Sequence, residues 1–286
     1  MSGQQETESQ HFSPYRADGK LYGFVCIVTG ATQPVGKAVV HELAAHGAAC
    51  IYACSSSPSD DYASLAEEVN KQFPSTKVIG YPFKLANEED TLALIDDVLN
   101  AWGTARCLPD LYKLFEANSM APFFALKYAP AAMSKTAPKG SYPNAAPKDQ
   151  AYGSIVVVSS VASTYGGCWG PAFTMSSHAA LGVVRAGVAT LKGSGVRINC
   201  ISPGQIDIGV DLGTFDRRGL SDQFPPSSLQ SKKVQHDIVG LERAGLPSEV
   251  ARVAGFLASG FSSYITGSNM VVDGGATTMN PLTIPI

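Results

Sequence analysis

Residues 24–36 read FVCIVTGATQPVG, an unbroken apolar run followed directly by a glycine-containing turn. Every residue from 24 to 28 is apolar, which is typical of a strand buried on both faces of a parallel sheet. After the turn, Val35, Val39 and Leu43 recur at four-residue spacing and predict a helix with one apolar face. The stretch therefore predicts a strand–turn–helix unit.

The rest of the chain alternates between short apolar runs and helical patterns, which indicates βαβ units and a parallel sheet. Further strands are predicted at 49–53, 77–83, 155–159, 196–201 and 269–273, and helices around 65–73 and at 88–102, 110–133, 172–191 and 248–258. Two stretches lack a regular pattern: 134–153 is predicted as a surface loop and 211–241 as a substrate lid. We expect a disordered tail over residues 1–20 and one domain over 21–286.

Composition excludes several classes of function. A formal charge of −3 argues against a nucleic-acid surface, and no apolar run approaches the length that spans a membrane. The polar N-terminal stretch lacks the apolar core of a signal peptide. None of the six cysteines forms a Cys-x-x-Cys pair, which favours buried thiols over disulfides or a metal site. We therefore expect a cytoplasmic protein without a nucleic-acid or membrane partner.

Several motifs, in order, resemble those of the short-chain dehydrogenase/reductase family. The turn at 29–36 is similar to the family's Thr-Gly-x-x-x-Gly-x-Gly turn, in which small residues let backbone N–H groups approach a pyrophosphate. The run IVVVSS at 155–160 resembles the strand that ends in the catalytic Ser. The run RINCISPG at 197–204 resembles the strand beside the nicotinamide. Residues 243–275 resemble the family's C-terminal segment. The resemblance covers about 21–276.

This resemblance implies an α/β fold, a Rossmann-like doubly wound parallel sheet with helices on both faces. It implies Ser160 as a catalytic residue and Asn118 as a structural and proton-relay residue. The cofactor-binding residues that it implies are Gly30, Thr32, Val35, Gly36, Ser55, Pro203, Gly204 and Ile206.

The catalytic Tyr-x-x-x-Lys motif of the family is absent. It should lie thirteen residues after Ser160, where this chain has Phe173 and, four residues on, Ser177. Phe173 has no ionisable proton, and Ser177 cannot supply the positive charge with which Lys lowers the pKa of Tyr. Losing a general acid or base typically costs ~10²–10⁴-fold in rate. We predict Tyr165 as a replacement donor, and we predict that Trp169 and Phe173 line the substrate pocket. Two further candidates have simpler interpretations: His178 as a packed or surface histidine and Asp207 as a loop cap.

The cofactor positions also depart from the family. Pro34 replaces the middle glycine of the turn, and Cys54 and Ser55 stand where relatives that prefer NAD place an acidic residue. The serine run 55–57 and nearby Lys37 would tolerate a 2′-phosphate, so we expect NADP(H), with NAD(H) or no cofactor left open. Lys84 stands where the family usually has an Asp against the adenine.

A central strand is shortened or missing. Only residues 104–109 separate the helix that ends at Trp102-Gly103 from the next helix, where the family has its fourth strand. Residues 105–108 could form a short strand, or the first strand could pair directly with the fifth. A truncated gene model or splice product would give the same sequence.

Three functions remain open at this point. The chain could be an atypical NADP(H)-dependent oxidoreductase that acts on a small carbonyl or imine metabolite. It could be a cyclase or isomerase with a repurposed apolar pocket, or a non-catalytic scaffold. In each case the resemblance implies a homodimer or homotetramer, assembled through the helices at 110–133 and 172–191.

Overall fold

A computed structural model describes residues 19–22, 24–55, 60–82, 114–136, 148, 150–166, 171–209 and 232–279. The strands in this part are β1 (Val25–Thr29), β2 (Cys50–Ser55), β3 (Lys77–Pro82), β4 (Gly153–Val158), β5 (Val196–Pro203) and β6 (Asn269–Val272). The α-helices are α1 (Pro34–Ala45), α2 (Tyr62–Gln72), α3 (Ala121–Met133), α4 (Pro171–Thr190), α5 (Lys232–Ile238), α6 (Pro247–Ala258) and α7 (Ala276–Met279). A π-helical segment occupies Glu116–Met120, and 3₁₀ turns occupy Val161–Ser163 and Gly260–Ser262.

All strand pairs are parallel. β1, β2 and β3 follow one another in one set, and β4, β5 and β6 in the other. In the first set Val28 lies opposite Ala53, and in the second Ile155 lies opposite Ile198. The chain is a single Rossmann-like α/β domain, as the alternating pattern predicted, and the predicted strand bounds agree with the observed ones to within about two residues.

Helix α6 connects the two sets of strands. It packs against α1, which follows β1, and it also contacts β4 and β5. Val250 and Leu257 of α6 are fully buried with Ile201 of β5. Leu257 also accepts a hydrogen bond through its backbone oxygen from Ser154 Oγ of β4, at 2.8 Å. One apolar face of α6 therefore joins the half of the molecule that is built on β1, β2 and β3 to the half that is built on β4, β5 and β6.

The first strand is not buried on both faces, so that prediction was wrong. Val25 and Ile27 retain 45% and 42% of their exposure, while Val28 is buried. Alternate residues of a strand share a face, so one face of β1 is open. Among the residues that the structure describes, β1 pairs only with β2 and β4 only with β5, so direct pairing of the first and fifth strands is not seen. Residues 104–109 lie outside the described part, and a shortened fourth strand stays a prediction.

The two irregular stretches are described only in part. Helix α3 ends at Met133 and β4 begins at Gly153, which brackets the predicted surface loop, and Lys148 Nζ donates a hydrogen bond to the Met133 backbone oxygen. The predicted lid is not irregular throughout, because α5 occupies Lys232–Ile238 near its end. The apolar pattern missed this helix because none of its residues is buried. Residues 1–18 and 210–231 lie outside the described part, so the tail and most of the lid stay predictions.

Candidate active site

The glycine-containing turn is closed by close backbone contacts. Gly30 has a φ of +62°, and the next residue, Ala31, donates its N–H to the Cys54 backbone oxygen of β2 at 2.9 Å. A Cβ on Gly36 would lie 2.0 Å from the Gly30 oxygen, so only glycine fits where α1 begins. The space above Gly30 is open, with no heavy atom within 4 Å of an added Cβ. The turn therefore leaves a backbone cradle in front of the N-terminus of α1.

Pro34 does not disrupt this helix start. It occupies the first turn of α1, where a backbone N–H has no partner within the helix and where the φ of proline suits helical geometry. Val35 is partly buried and packs against the cluster around α6 rather than facing the turn. Its side chain therefore belongs to the core, and its backbone lies in the first turn of α1.

A carboxylate that belongs to none of the sequence motifs lies beside this turn. Asp60 Oδ2 accepts hydrogen bonds from Thr32 Oγ1 at 2.6 Å and from Ser55 Oγ. Two of the predicted cofactor residues are thus brought together at the end of β2, bridged by an acid. The only sequence signal was the pair Asp60-Asp61 ahead of an amphipathic helix, which is typical of a helix cap.

Ser160 begins the segment where the predicted catalytic residues gather. It is buried, and its Oγ accepts the Ala162 N–H at 3.2 Å, which caps the 3₁₀ turn Val161–Ser163. Val161 and Ala162 form a small apolar cluster against which Tyr165 and Phe173 pack. The structure therefore places the predicted donor Tyr165 and the predicted pocket residue Phe173 around one buried turn.

A buried polar network holds this segment to the second sheet. The Ser163 and Ser202 hydroxyls lie 2.9 Å apart, and Ser202 Oγ donates to Asn269 Oδ1 at 2.7 Å. Asn269 Nδ2 in turn donates to Thr164 Oγ1 at 3.0 Å. The turn after Ser160 is thus fixed by β5 and β6 through side chains that the motifs did not indicate.

Asn118 lies in the π-helical segment that precedes α3. Its Nδ2 donates to Ser176 Oγ at 2.9 Å, and Ser176 Oγ donates to the Phe173 backbone oxygen. Such π insertions are rare and are frequently found at functional sites. Asn118 is therefore tied to the turn of α4 that carries positions 173 and 177.

Ser177 is only 1% exposed, and its backbone oxygen accepts the Ser159 hydroxyl at 3.4 Å. His178 is exposed, and its Nδ1 lies 3.0 Å from the Thr174 backbone oxygen one turn earlier. The interpretation of His178 as a surface histidine is in keeping with this position.

The turn after β5 is tightly packed. The Gly204 N–H donates to the Val272 backbone oxygen at 2.9 Å, and a Cβ on Gly204 would lie 2.6 Å from the Asp273 Cβ. Ile206, two residues on, forms a bridge with Gly245 and packs against the α6 cluster. Asp207 accepts the Gly209 N–H at 2.9 Å, which is the loop cap that the simpler interpretation predicted. Pro203 ends β5 beside this turn.

Some predicted residues lie outside the described part of the chain. These are Ser56, Ser57, Lys84, Cys107, Cys168 and Trp169. Among the described residues no group of His, Cys, Asp and Glu is arranged to hold a metal ion. Burial raises the pKa of the Cys200 thiol to about 11.

Comparison with known proteins accounts for this arrangement. Residues 24–110 match the family described as short chain dehydrogenase, and residues 113–277 match the one described as enoyl-(acyl carrier protein) reductase. The chain belongs to the short-chain dehydrogenase/reductase family. The first matched segment ends at residue 110 and the second begins at residue 113.

Curated relatives of this family member span most of its length. It is 29% identical to sex determination protein tasselseed-2 of Zea mays, over 94% of this chain and 84% of the relative. It is 27% identical to (+)-borneol dehydrogenase 2 of Salvia officinalis, over 94% of each chain. It is also 27% identical to xanthoxin dehydrogenase of Arabidopsis thaliana, over 96% of each.

Solved structures share the fold. L-sorbose reductase from Gluconobacter frateurii, complexed with NADPH and L-sorbose, superposes with a TM-score of 0.70 at 21% identity, over 91% of this chain and 98% of that chain. A short-chain type dehydrogenase/reductase from Mycobacterium ulcerans gives a TM-score of 0.70 at 23% identity, over 92% and 96% of the two chains. In the described part of this family member, no helix combines the length and apolarity that crossing a bilayer requires.

The described residues fit one end of a nicotinamide dinucleotide. The open space above Gly30 and the N-terminus of α1 suit its pyrophosphate, because backbone N–H groups and the helix dipole favour an anion. Asp60, Thr32 and Ser55 line the adjoining end of β2 with polar groups. At the other end, Ser177 is buried and carries no positive charge, so it cannot replace a lysine at the nicotinamide ribose.

Proposed function

We propose that the chain is an oxidoreductase that binds a nicotinamide dinucleotide and acts on a small carbonyl or imine metabolite. The observation that carries the proposal is the turn at 29–36, whose close contacts leave an open backbone cradle at the N-terminus of α1. Family membership supports it, since curated relatives such as (+)-borneol dehydrogenase 2 and xanthoxin dehydrogenase are named for dehydrogenation of small molecules.

In this proposal Gly30 and Gly36 shape the turn, while Thr32, Ser55 and the backbone N–H of Val35 face the nucleotide. Pro203, Gly204 and Ile206 border the nicotinamide end after β5. A bound nicotinamide would supply or accept the hydride. The protein must then exchange a proton with the substrate oxygen, because reduction of a carbonyl adds a hydride to carbon and a proton to oxygen.

Proton exchange is the weak step of this site. Ser160 already accepts a hydrogen bond from Ala162, which leaves its own O–H to orient a substrate oxygen. Asn118 acts through Ser176 on α4, and Tyr165 packs against the same apolar turn as Phe173. Tyr165 or a bound water would be the donor, with Trp169 and Phe173 as the pocket wall. An iminium substrate needs no proton from the protein, so it suits a site without the Tyr–Lys pair.

The form of the cofactor has support in both directions. Serine-rich residues 55–57 and Lys37 favour NADP(H), the form named for L-sorbose reductase and for a gluconate 5-dehydrogenase from Beutenbergia cavernae with bound NADP. The Asp60 carboxylate favours NAD(H). We place the protein in the cytoplasm, as expected from the sequence.

Calorimetric titration of the full chain with NADH and NADPH tests the proposal first. We expect micromolar binding of at least one nucleotide, followed by oxidation of the reduced form with matched carbonyl and cyclic iminium substrates. Faster turnover of the iminium compound is expected because it bypasses the missing acid. If neither nucleotide binds, the proposal of a redox function is wrong.

A second candidate is a protein of this fold without redox activity. The observation that favours it is the pairing of Phe173 with a buried Ser177, which leaves both positions without an ionisable group. The site would then be an apolar cyclase or isomerase pocket, or the chain would be an oligomeric scaffold. Exposed apolar residues, Met120 and Phe123 near the start of α3 and Met175 and Val188 on α4, support a homodimer or homotetramer in either case. Light scattering that gives a monomer would count against the scaffold.

A further inference from the structure

Asp60 holds a negative charge at the junction of the glycine turn and the end of β2. Its Oδ2 accepts hydrogen bonds from Thr32 Oγ1, at 2.6 Å, and from Ser55 Oγ. Ser55 is buried, and the Asp60 side chain remains partly accessible. The carboxylate is therefore fixed beside the turn rather than extended into solvent.

The residues after Asp60 fix this placement. Asp61 caps α2, since its Oδ1 accepts the Ser64 N–H at 2.9 Å. The Tyr62 hydroxyl donates to the Ser55 backbone oxygen at 3.2 Å. The pKa of Tyr62 is raised, chiefly by burial, and the negative charge of Asp60 adds to the rise. The start of α2 is thus bonded to the end of β2, with Asp60 at the point where the two meet.

In this fold the adenosine ribose of a bound dinucleotide lies at the end of the second strand, next to the glycine turn. A carboxylate there accepts hydrogen bonds from ribose hydroxyls and repels a 2′-phosphate. The residues at the strand end itself, Cys54 and Ser55, are not acidic. We propose that the carboxylate of Asp60, five residues after Ser55, takes the place of an acidic residue at the strand end, and that the chain binds NAD(H) in preference to NADP(H).

The two hydroxyls that could donate hydrogen bonds to a 2′-phosphate already donate to Asp60. Ser55 and Thr32 direct their protons to Asp60, so neither has its proton available for a phosphate oxygen without breaking that contact. Lys37 of α1 is exposed and would have to offset the carboxylate. In the hydrogen-bonded group formed by Thr32, Ser55 and Asp60, the formal charge is the negative charge of the Asp60 carboxylate.

The assignment rests on the proposed function, and the experiment separates the two. NADH and NADPH are titrated calorimetrically into the full chain, into Asp60→Asn and into Asp61→Asn. Asp60→Asn keeps a side-chain oxygen that can accept both hydroxyls, but it removes the charge. Asp61→Asn removes the same charge one residue away and keeps the helix cap, since Asn caps as well as Asp. Asp60→Ser serves as a second variant, and thermal unfolding checks that each variant is folded.

We expect the unaltered chain to bind NADH at least about tenfold more tightly than NADPH, since like charges in a binding site strongly disfavour the wrong partner. Asp60→Asn and Asp60→Ser should narrow that ratio by about tenfold, mainly through tighter NADPH binding, while Asp61→Asn leaves it unchanged. A preference for NADPH in the unaltered chain overturns the assignment. So does a ratio that does not move in folded Asp60 variants, or that moves equally in Asp61→Asn. If neither nucleotide binds the unaltered chain, the proposed function itself fails and this assignment with it.

Discussion

The two halves of the molecule differ in what they have kept. In the half built on β1, β2 and β3, backbone geometry makes the site: a turn closed by Gly30 and Gly36, with a carboxylate beside it. In the half built on β4, β5 and β6, Ser160 caps a 3₁₀ turn and Asn118 is bonded to α4. The difference from the family lies in the side chains for acid–base chemistry, because Phe173 and Ser177 stand at the positions of Tyr and Lys.

This contrast indicates which physical demand each half answers. A turn around a pyrophosphate depends on small residues and close backbone approach, so Pro34 can replace its middle glycine while Gly30 and Gly36 shape the turn. Acid–base catalysis depends on one ionisable group at one position, and it is lost when Phe occupies that position even though the helix keeps its register. The glycine turn therefore keeps the backbone shape that the family motif implies, while positions 173 and 177 carry Phe and Ser.

The largest effect is expected from a change that breaks the first half. Replacing Gly36 with Ala puts a Cβ within 2.0 Å of the Gly30 backbone oxygen, so the turn must open. We expect nucleotide binding to fall below detection and the free energy of unfolding to drop by about 1–3 kcal/mol, as for other overpacked sites. Calorimetry and denaturant unfolding measure the two effects.

Gly182→Ala in α4 is the matched control, because an added Cβ there meets no heavy atom within 4 Å. Ala is the better helix former by about 1 kcal/mol, so this variant should be as stable as the unaltered chain or slightly more so. Nucleotide binding by Gly36→Ala at unaltered affinity would show that the cradle is not where the nucleotide lies.

The next effect tests whether the second half can be restored. The double variant Phe173→Tyr with Ser177→Lys places the family's acid–base pair on the existing helix. We expect carbonyl turnover with the bound nicotinamide to rise by roughly 10²-fold, which is the low end of general acid–base catalysis. Iminium turnover should change far less, because that substrate needs no proton.

Phe173→Tyr alone is the comparison, since a phenol without a neighbouring cation keeps a high pKa and should gain little. Ser177 is only 1% exposed, so folding of the double variant must be verified by circular dichroism and nucleotide titration. A folded double variant that binds nucleotide and shows no gain on any carbonyl would refute the idea that only two side chains separate this site from its relatives.

A smaller effect concerns the network that fixes the turn after Ser160. Ser202→Ala removes the hydroxyl that joins Ser163 to Asn269, leaving buried polar groups short of a partner. We expect a loss of about 1–3 kcal/mol in the free energy of unfolding. Thr190→Ala, which removes one exposed hydrogen bond of 3.4 Å to the Ala186 backbone oxygen, should cost less than half as much. Equal costs would mean that the network does not fix the segment.

Much of the fold could be predicted from the sequence because buried parallel strands and amphipathic helices leave strong periodic signals. The starts of β3 at Lys77 and of β5 at Val196 were predicted to the residue from such patterns, while β5 ends two residues later than predicted. The exposed face of β1 could not be predicted, because an apolar run indicates burial but does not say which neighbours are present. Helix α5 was missed for the opposite reason, since it buries nothing.

The candidate site was predictable only where residues are adjacent in the chain. Ser160 and the glycine turn stand in motifs, whereas Asp60 reaches Thr32 across 28 residues and Asn118 reaches Ser176 across 58. The π-helical segment around Asn118 has no periodic signature that single-sequence patterns detect. Val35 was assigned to the cofactor by its motif position, while its side chain packs in the core.

The smallest effect lies at the start of α6, the helix that holds the two halves together. Glu249 accepts two hydrogen bonds of 2.8 Å from the Arg243 guanidinium and one from the Leu246 N–H, which lower the pKa of its carboxyl to about 2. Because the folded pKa lies below the ordinary value, this contact stabilises the fold above about pH 4.5 and is lost as the pH falls towards 2. The pair is exposed, so the gain is small and falls with salt. NMR titration should find Glu249 ionised down to about pH 2, and Arg243→Gln should raise that pKa while the Leu246 bond keeps it below its usual range. An ordinary pKa in the unaltered chain would mean that the cap of α6 forms without the ion pair.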